Sequence, residues 1–153
     1  MTRYERLFGA GARGAILSIV LLLMTYYVED IVGLDLIFSN DLIRYSAFLI
    51  LSLLGITVIL WSVISLPPKE RGNHLITKGA FKYFRHPLYA SFLLFLNTGF
   101  AILLNNWIYI LWALALFPIW SINVESEEEL MKKEFKEKYE LYCRNTWKFF
   151  PKL

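Results

Sequence analysis

LITKGAFKYFRHPLYAS, residues 75–91, is a compact basic stretch between two apolar runs, and it carries His86, one of only two histidines in the chain. Its second half passes directly into apolar sequence at Leu88, which places Arg85, His86 and Tyr89 where a membrane helix meets water. The run before it is closed by Pro67-Pro68, because proline cannot continue a helix and disfavours helical backbone in the residue ahead of it. The only comparable density of polar groups is Glu125 to Lys138, after the next apolar hairpin. Outward from these two stretches the chain divides into four apolar segments and a polar tail.

The apolar segments fall at about residues 12–28, 45–66, 88–104 and 107–124. The first is short against the roughly 20 residues that cross the hydrocarbon, which disfavours tilt. It is closed by Glu29 and Asp30, with Tyr26 and Tyr27 at the interface. Val32 to Asp41 reads as a loop, and Asn105-Asn106 as a tight turn. Trp107, Tyr109 and Trp112 read as an aromatic belt at that turn. Pro118 reads as a tolerated membrane proline or, alternatively, as a kink in the fourth helix, and Asn97 reads as an interhelical hydrogen bonder, since an amide facing lipid is costly.

The bulk composition agrees. Of the 153 residues 57% are hydrophobic, above the roughly 45–50% of soluble chains, and the excess is gathered in runs rather than spread through a core. The length suits one domain, residues 1–153. A net charge of +3 invites a nucleic-acid reading, but topology accounts for it, so no nucleic-acid partner is expected. Lys and Arg collect on one side, with Arg3, Arg6, Arg13, Lys69, Arg71, Lys78, Lys82, Arg85 and the basic tail. The other side receives Arg44 among Glu29, Asp30, Asp35 and Asp41. The positive-inside rule then makes both termini cytoplasmic and sets residues 69–87 and 125–153 on one face. Cys143 is alone, which excludes an intrachain disulfide; His74 and His86 lack zinc-site spacing, so no metal is expected. The N-terminal run lacks a small-residue cleavage pattern and reads as a retained helix.

In the tail, Met131, Phe135, Tyr139 and Tyr142 share one helix face, and Glu128–Lys132, Glu129–Lys133 and Glu134–Lys138 are acid-before-base pairs one turn apart. The expected fold is therefore all-α: a polytopic membrane bundle of four transmembrane helices plus a C-terminal amphipathic cytoplasmic helix. A basic loop facing a run of carboxylates suits a small zwitterionic or cationic ligand, of which S-adenosylmethionine is one. Glu127 and Glu128 can accept from ribose hydroxyls or an ammonium, and Arg85 can pair with a carboxylate of cofactor or substrate. Gly79 allows close backbone approach, and Phe81 and Tyr89 offer ring faces. These residue types are permissive. Arg85 also satisfies the positive-inside rule, His86 also suits a headgroup anchor, Glu127 to Glu129 also complement a helix N-terminus, and Tyr139 and Tyr142 also suit packing.

Two separated motifs narrow the reading. Gly79-Ala-Phe81 followed by Arg85-His86-Pro87-Leu-Tyr89 resembles the GxY…RHPxY signature of the isoprenylcysteine carboxyl methyltransferase family. Its tail signature is matched by Glu127-Glu128, Phe135, Tyr139, Tyr142 and Phe150-Pro151. The resemblance covers roughly Leu75 to Pro151. It implies a membrane-embedded methyltransferase that binds S-adenosylmethionine on the cytoplasmic side. The lipophilic acceptor would reach it from the bilayer, foremost the carboxylate of an isoprenylcysteine, alternatively a phospholipid amine. The site implied is Leu75, Ile76, Gly79, Phe81, His86, Pro87, Tyr89, Glu127 and Glu128 for the cofactor, with Arg85, His86 and Glu128 catalytic. A carboxylate nucleophile is already ionised and needs only Arg85 to hold it; an ammonium needs a base, His86 or Glu128. The chain departs from the family pattern at Lys136, where a glycine usually follows the tail phenylalanine, at Lys148, where an arginine is usual, and in lacking an upstream Gly-x-x-Trp element.

Two other classes compete. A four-span transporter or structural protein is disfavoured because ionisable residues lie at one face rather than near the span centres. An NADPH-dependent reductase on a similar scaffold is disfavoured by the carboxylate pair, which repels a diphosphate.

Overall fold

The structure is a computed structural model that describes residues 3–67 and 74–152, with side chains from Gly11 onward. Pro68, Lys69, Arg71 and the rest of residues 68–73 lie outside the described residues, as do the side chains of Arg3 and Arg6. The described chain is all-α: α1 (Arg3–Val32), α2 (Asp41–Ile64), α3 (Pro87–Leu104), α4 (Trp107–Asn123), α5 (Glu125–Phe135) and α6 (Glu137–Asn145). α1 to α4 are each long and apolar enough to span a membrane. Ile16, Ile19, Leu49, Leu53, Leu111 and Leu114 stand exposed along them, which is the surface a bilayer covers.

The spans run longer than polarity alone suggests. α1 does not stop at Glu29 and Asp30 but continues to Val32, because Glu29 has a partner: the Tyr109 hydroxyl donates to its Oε2 at 2.5 Å. Tyr109 is therefore buried, and so is Trp112, whose Nε1 donates to the Ser18 carbonyl; of the expected belt only Trp107 faces outward. α2 begins at Asp41 rather than near Tyr45, since the Asn40 side chain caps the amides of Leu42 and Ile43. α4 runs unbroken through Pro118. Asn97 makes no side-chain hydrogen bond among the described residues; Ser91 makes the interhelical one, its Oγ donating to the Gly55 carbonyl at 2.7 Å. α3 also holds a π-helical turn at Phe92–Leu96, one turn beyond Tyr89.

In space α1 packs on α4, α4 on α3 and α3 on α2. The turn between α3 and α4 is pinned from below. Asn105, in the left-handed region at φ 59°, exchanges hydrogen bonds through its side chain with both backbone groups of Phe38, and Asn106 donates to the Leu34 carbonyl. At the other end the polar tail folds back. It is two helices rather than one, broken at Lys136, whose φ of 47° and ψ of −125° lie outside helical space.

Candidate functional site

Pro87 opens α3 at its first position, where its missing amide costs nothing, and leaves Arg85 and His86 in a bend just ahead, His86 at φ −125° and ψ 68°. That bend is held by the C-terminal segment: Arg85 N donates to the Trp147 carbonyl at 2.9 Å and His86 N to the Lys148 carbonyl at 3.1 Å. The 3₁₀ turn Gly79–Lys82 is fixed from two sides. Ala80 N donates to Ser65 Oγ at the end of α2, and the Tyr142 hydroxyl donates to the Phe81 carbonyl at 2.6 Å. Gly79 is required here, with φ at +61° and Ser65 Oγ 2.2 Å from where a β-carbon would stand.

The loop and the acidic start of α5 meet directly. Arg85 Nε donates to Glu128 Oε1 at 2.8 Å, and Arg85 Nη1 donates to the Thr146 carbonyl at 2.5 Å, where α6 ends. Lys148 Nζ lies 3.5 Å from Glu128 Oε2, so this lysine reaches the acid from the position where the family pattern carries arginine. His86 Nε2 lies 3.3 Å from Glu128 Oε1, and its ring stacks on Tyr89 with Phe149 against its other side. The Tyr89 hydroxyl donates to Glu127 Oε1 at 3.0 Å, and its ring leans on Trp120.

The two neighbouring carboxylates behave oppositely. Their side chains are equally hidden, each 8% exposed, so partners and not burial separate them. Burial pushes Glu128 up, but hydrogen bonds from His86 and Arg85 and their charge outweigh it and hold the acid down at about 2. Burial also pushes Glu127 up, only partly opposed by the Tyr89 hydroxyl and reinforced by the charge of Glu128, to about 7. Burial pushes the His86 imidazole down, against the pull of Glu128. The result is one acid held ionised at neutral pH in an ion-pair cluster beside one that exchanges a proton near neutrality.

Below this cluster lies a cavity of about 500 Å³. Leu75, Ile76, Phe81, Arg85, His86, Pro87, Tyr89 and Glu127, which the sequence reading assigns to the site, come together in its wall. Gly79 and Glu128 are not in its wall: Gly79 packs on Ser65, and Glu128 stands behind Arg85. The wall also takes in Met131, Phe135, Tyr139 and Tyr142 from the tail, and Gly11, Ala12, Ser62, Val63 and Leu66 from α1 and α2. Sequence reading set the four tail residues on one face but had no reason to turn that face inward. The α1 contribution had one faint signal, the small residues Gly11, Ala12 and Gly14. Their spacing has meaning only once the Trp120 ring is found 2.8 Å from where a Gly14 β-carbon would stand.

The sequence model of the isoprenylcysteine carboxyl methyltransferase family matches residues 50–133, which takes in the second half of α2, the Arg85-His86-Pro87 loop, α3, α4 and most of α5. The chain belongs to the isoprenylcysteine carboxyl methyltransferase family. No individually curated protein matches it. Membership in the isoprenylcysteine carboxyl methyltransferase family supports a membrane methyltransferase in general, and the four spanning helices support an integral membrane protein.

Proposed function

We propose that this protein is a membrane methyltransferase that uses S-adenosylmethionine to methylate a lipophilic acceptor reaching the site from the bilayer. The observation that carries the reading is the joint cavity: the loop before α3 and the start of α5 wall one space of about 500 Å³ and are clamped by the Arg85–Glu128 pair, 43 residues apart in sequence, at 2.8 Å. That volume lies in the range of small-molecule and cofactor sites. Its wall fits the cofactor's apolar part, with Phe81, Phe135, Leu75 and Ile76 for an adenine ring. When bound, the cofactor supplies a methyl group already activated on a sulfonium.

The chain's own contribution is then positioning and exclusion of water. Pro87 and the Trp147–Lys148 pairing fix the loop, Arg85 ties it to α5 and α6, and Tyr139 and Tyr142 close the aqueous side. Gly11 and Ala12 of α1 and Ser62, Val63 and Leu66 of α2 form walls on the span side, where a lipid chain can approach. The distribution of Lys and Arg sets this face, with both termini, in the cytoplasm. The family's namesake acceptor is the carboxylate of an isoprenylcysteine.

The test is isothermal titration of S-adenosylhomocysteine into the protein in lipid nanodiscs, followed by transfer of a radiolabelled methyl group to candidate lipophilic acceptors. Saturable binding that S-adenosylmethionine competes away is expected. Absence of binding to folded protein refutes the assignment, and saturable binding of NADPH in its place would transfer the cavity to the reductase class.

A further inference from the structure

We propose that the acceptor is an amine whose proton passes to Glu127, held by Tyr89 at the bilayer end of the cavity, rather than a carboxylate held by Arg85; this rests on the methyltransferase reading above.

The placement follows from the run of α5. The helix starts at Glu125, immediately after α4 leaves the span, and rises about 1.5 Å per residue away from it. Glu127 sits in the first turn, whereas Met131 and Phe135 lie about 6 and 12 Å further along the same cavity wall. An acceptor arriving from the bilayer therefore meets Glu127 and Tyr89 first, beside Gly11 of α1. A cofactor arriving from water meets Met131, Phe135 and Tyr139 first.

The charge at that end suits a cation and opposes an anion. Glu127 is the one acidic side chain among the described lining residues. The one lining guanidinium, Arg85, is bonded to Glu128 at 2.8 Å and to the Thr146 and Cys143 carbonyls, so its charge is already matched. The other groups facing Glu127 among the described residues are the Tyr89 hydroxyl from α3, at 3.0 Å, His86, whose Nδ1 is 3.7 Å from Glu127 Oε2, and the neighbouring Glu128, whose negative charge adds to that of Glu127. Lys148 approaches Glu128 on its far oxygen. Aromatic faces of Tyr89 and Phe81 add to the attraction for an ammonium.

The step balances with two partners. An ammonium gives one proton to the Glu127 carboxylate, which frees the nitrogen lone pair. That pair forms the new N–C bond as the sulfonium C–S bond breaks, and the electrons of the C–S bond stay on sulfur. A second N–H proton leaves the methylated nitrogen to solvent or is retained as the product ammonium. Burial of Glu127 suits it to take a proton near neutral pH.

The experiment uses the full chain in nanodiscs and two equal-length probes, dodecylamine and laurate, read by quenching of tryptophan fluorescence, since Trp120 abuts Tyr89. Dodecylamine is expected to bind at least tenfold tighter than laurate, and Glu127→Gln to erase that preference while S-adenosylhomocysteine affinity stays within about threefold. In the transfer assay an aminophospholipid is expected to be methylated, with kcat lowered on the order of 100-fold or more in Glu127→Gln and partly restored in Glu127→Asp. Tyr89→Phe, which keeps the ring and removes the hydroxyl, is expected to shift the pH profile of transfer without removing it. The proposal is overturned if laurate binds as well as dodecylamine, or if a prenylcysteine is methylated and the aminophospholipid is not while cofactor binding is intact. Loss of cofactor binding in the unmodified protein overturns both this proposal and the methyltransferase reading.

Discussion

Replacing Lys136 with glycine should make the protein more stable, although Lys136 is exposed and forms no salt bridge among the described residues. The residue ends α5 and starts α6, donating its amide to the Lys132 carbonyl and accepting from Tyr139 N and Glu140 N. It does so at φ 47° and ψ −125°, a region that only glycine enters freely. A residue with a β-carbon held there costs about 1–3 kcal/mol, and glycine gives back about 0.5–1 kcal/mol through its freer unfolded chain. The expected net gain is about 1 kcal/mol, which is a rise of about 2–4 °C in Tm for a chain of this size. Lys136→Ala is the control, because it removes the same charge and keeps the β-carbon; its Tm should stay within about 1 °C. Thermal unfolding in one detergent, with limited proteolysis of the tail alongside, measures both. If glycine lowers Tm, or alanine raises it as much as glycine does, the break is not strained and the reasoning fails.

Gly79→Ala should destabilise by about 2–4 kcal/mol, since the new β-carbon would meet Ser65 Oγ at 2.2 Å in backbone already left-handed; a drop in folded yield or Tm checks it, and Ser65→Ala should rescue only part. Arg85→Ala should cost about 3–5 kcal/mol by leaving Glu128 buried without its main partner, whereas the double variant Arg85→Ala/Glu128→Gln should recover more than half of that loss. Stability should also change with pH in two separate limbs. Glu128 is held at about 2, below its ordinary 4.5, so its contribution is present above about pH 4.5 and is lost as pH falls toward 2. Glu127 is raised to about 7, so its neutral form favours the fold below about pH 4.5 and that contribution is lost as pH rises through 7. Chemical unfolding across that range should show Glu128→Gln flattening the acid limb and Glu127→Gln the neutral one; an unchanged profile in either variant removes its assignment.

The sequence determined the four spans and the two motifs, because hydrocarbon demands long apolar helices and leaves charge only at their ends. That is why four segments, the Asn105-Asn106 turn and the pairing of the Arg85 loop with the Glu127-Glu128 tail could be read from residues 75–91 outward. Side-chain partners were not legible in the same way. Glu29 looked like a helix stop, and only Tyr109 arriving from α4 explains why the helix passes through it. Glu127 and Glu128 are identical in a sequence and adjacent in this one. Tertiary contact with Arg85, His86 and Lys148 fixes the charge of one, and burial beside that charge leaves the other free to take a proton at the cavity wall. A proton's free energy depends on what lies within a few ångströms in space, so the chemistry of this pair was decided by the fold.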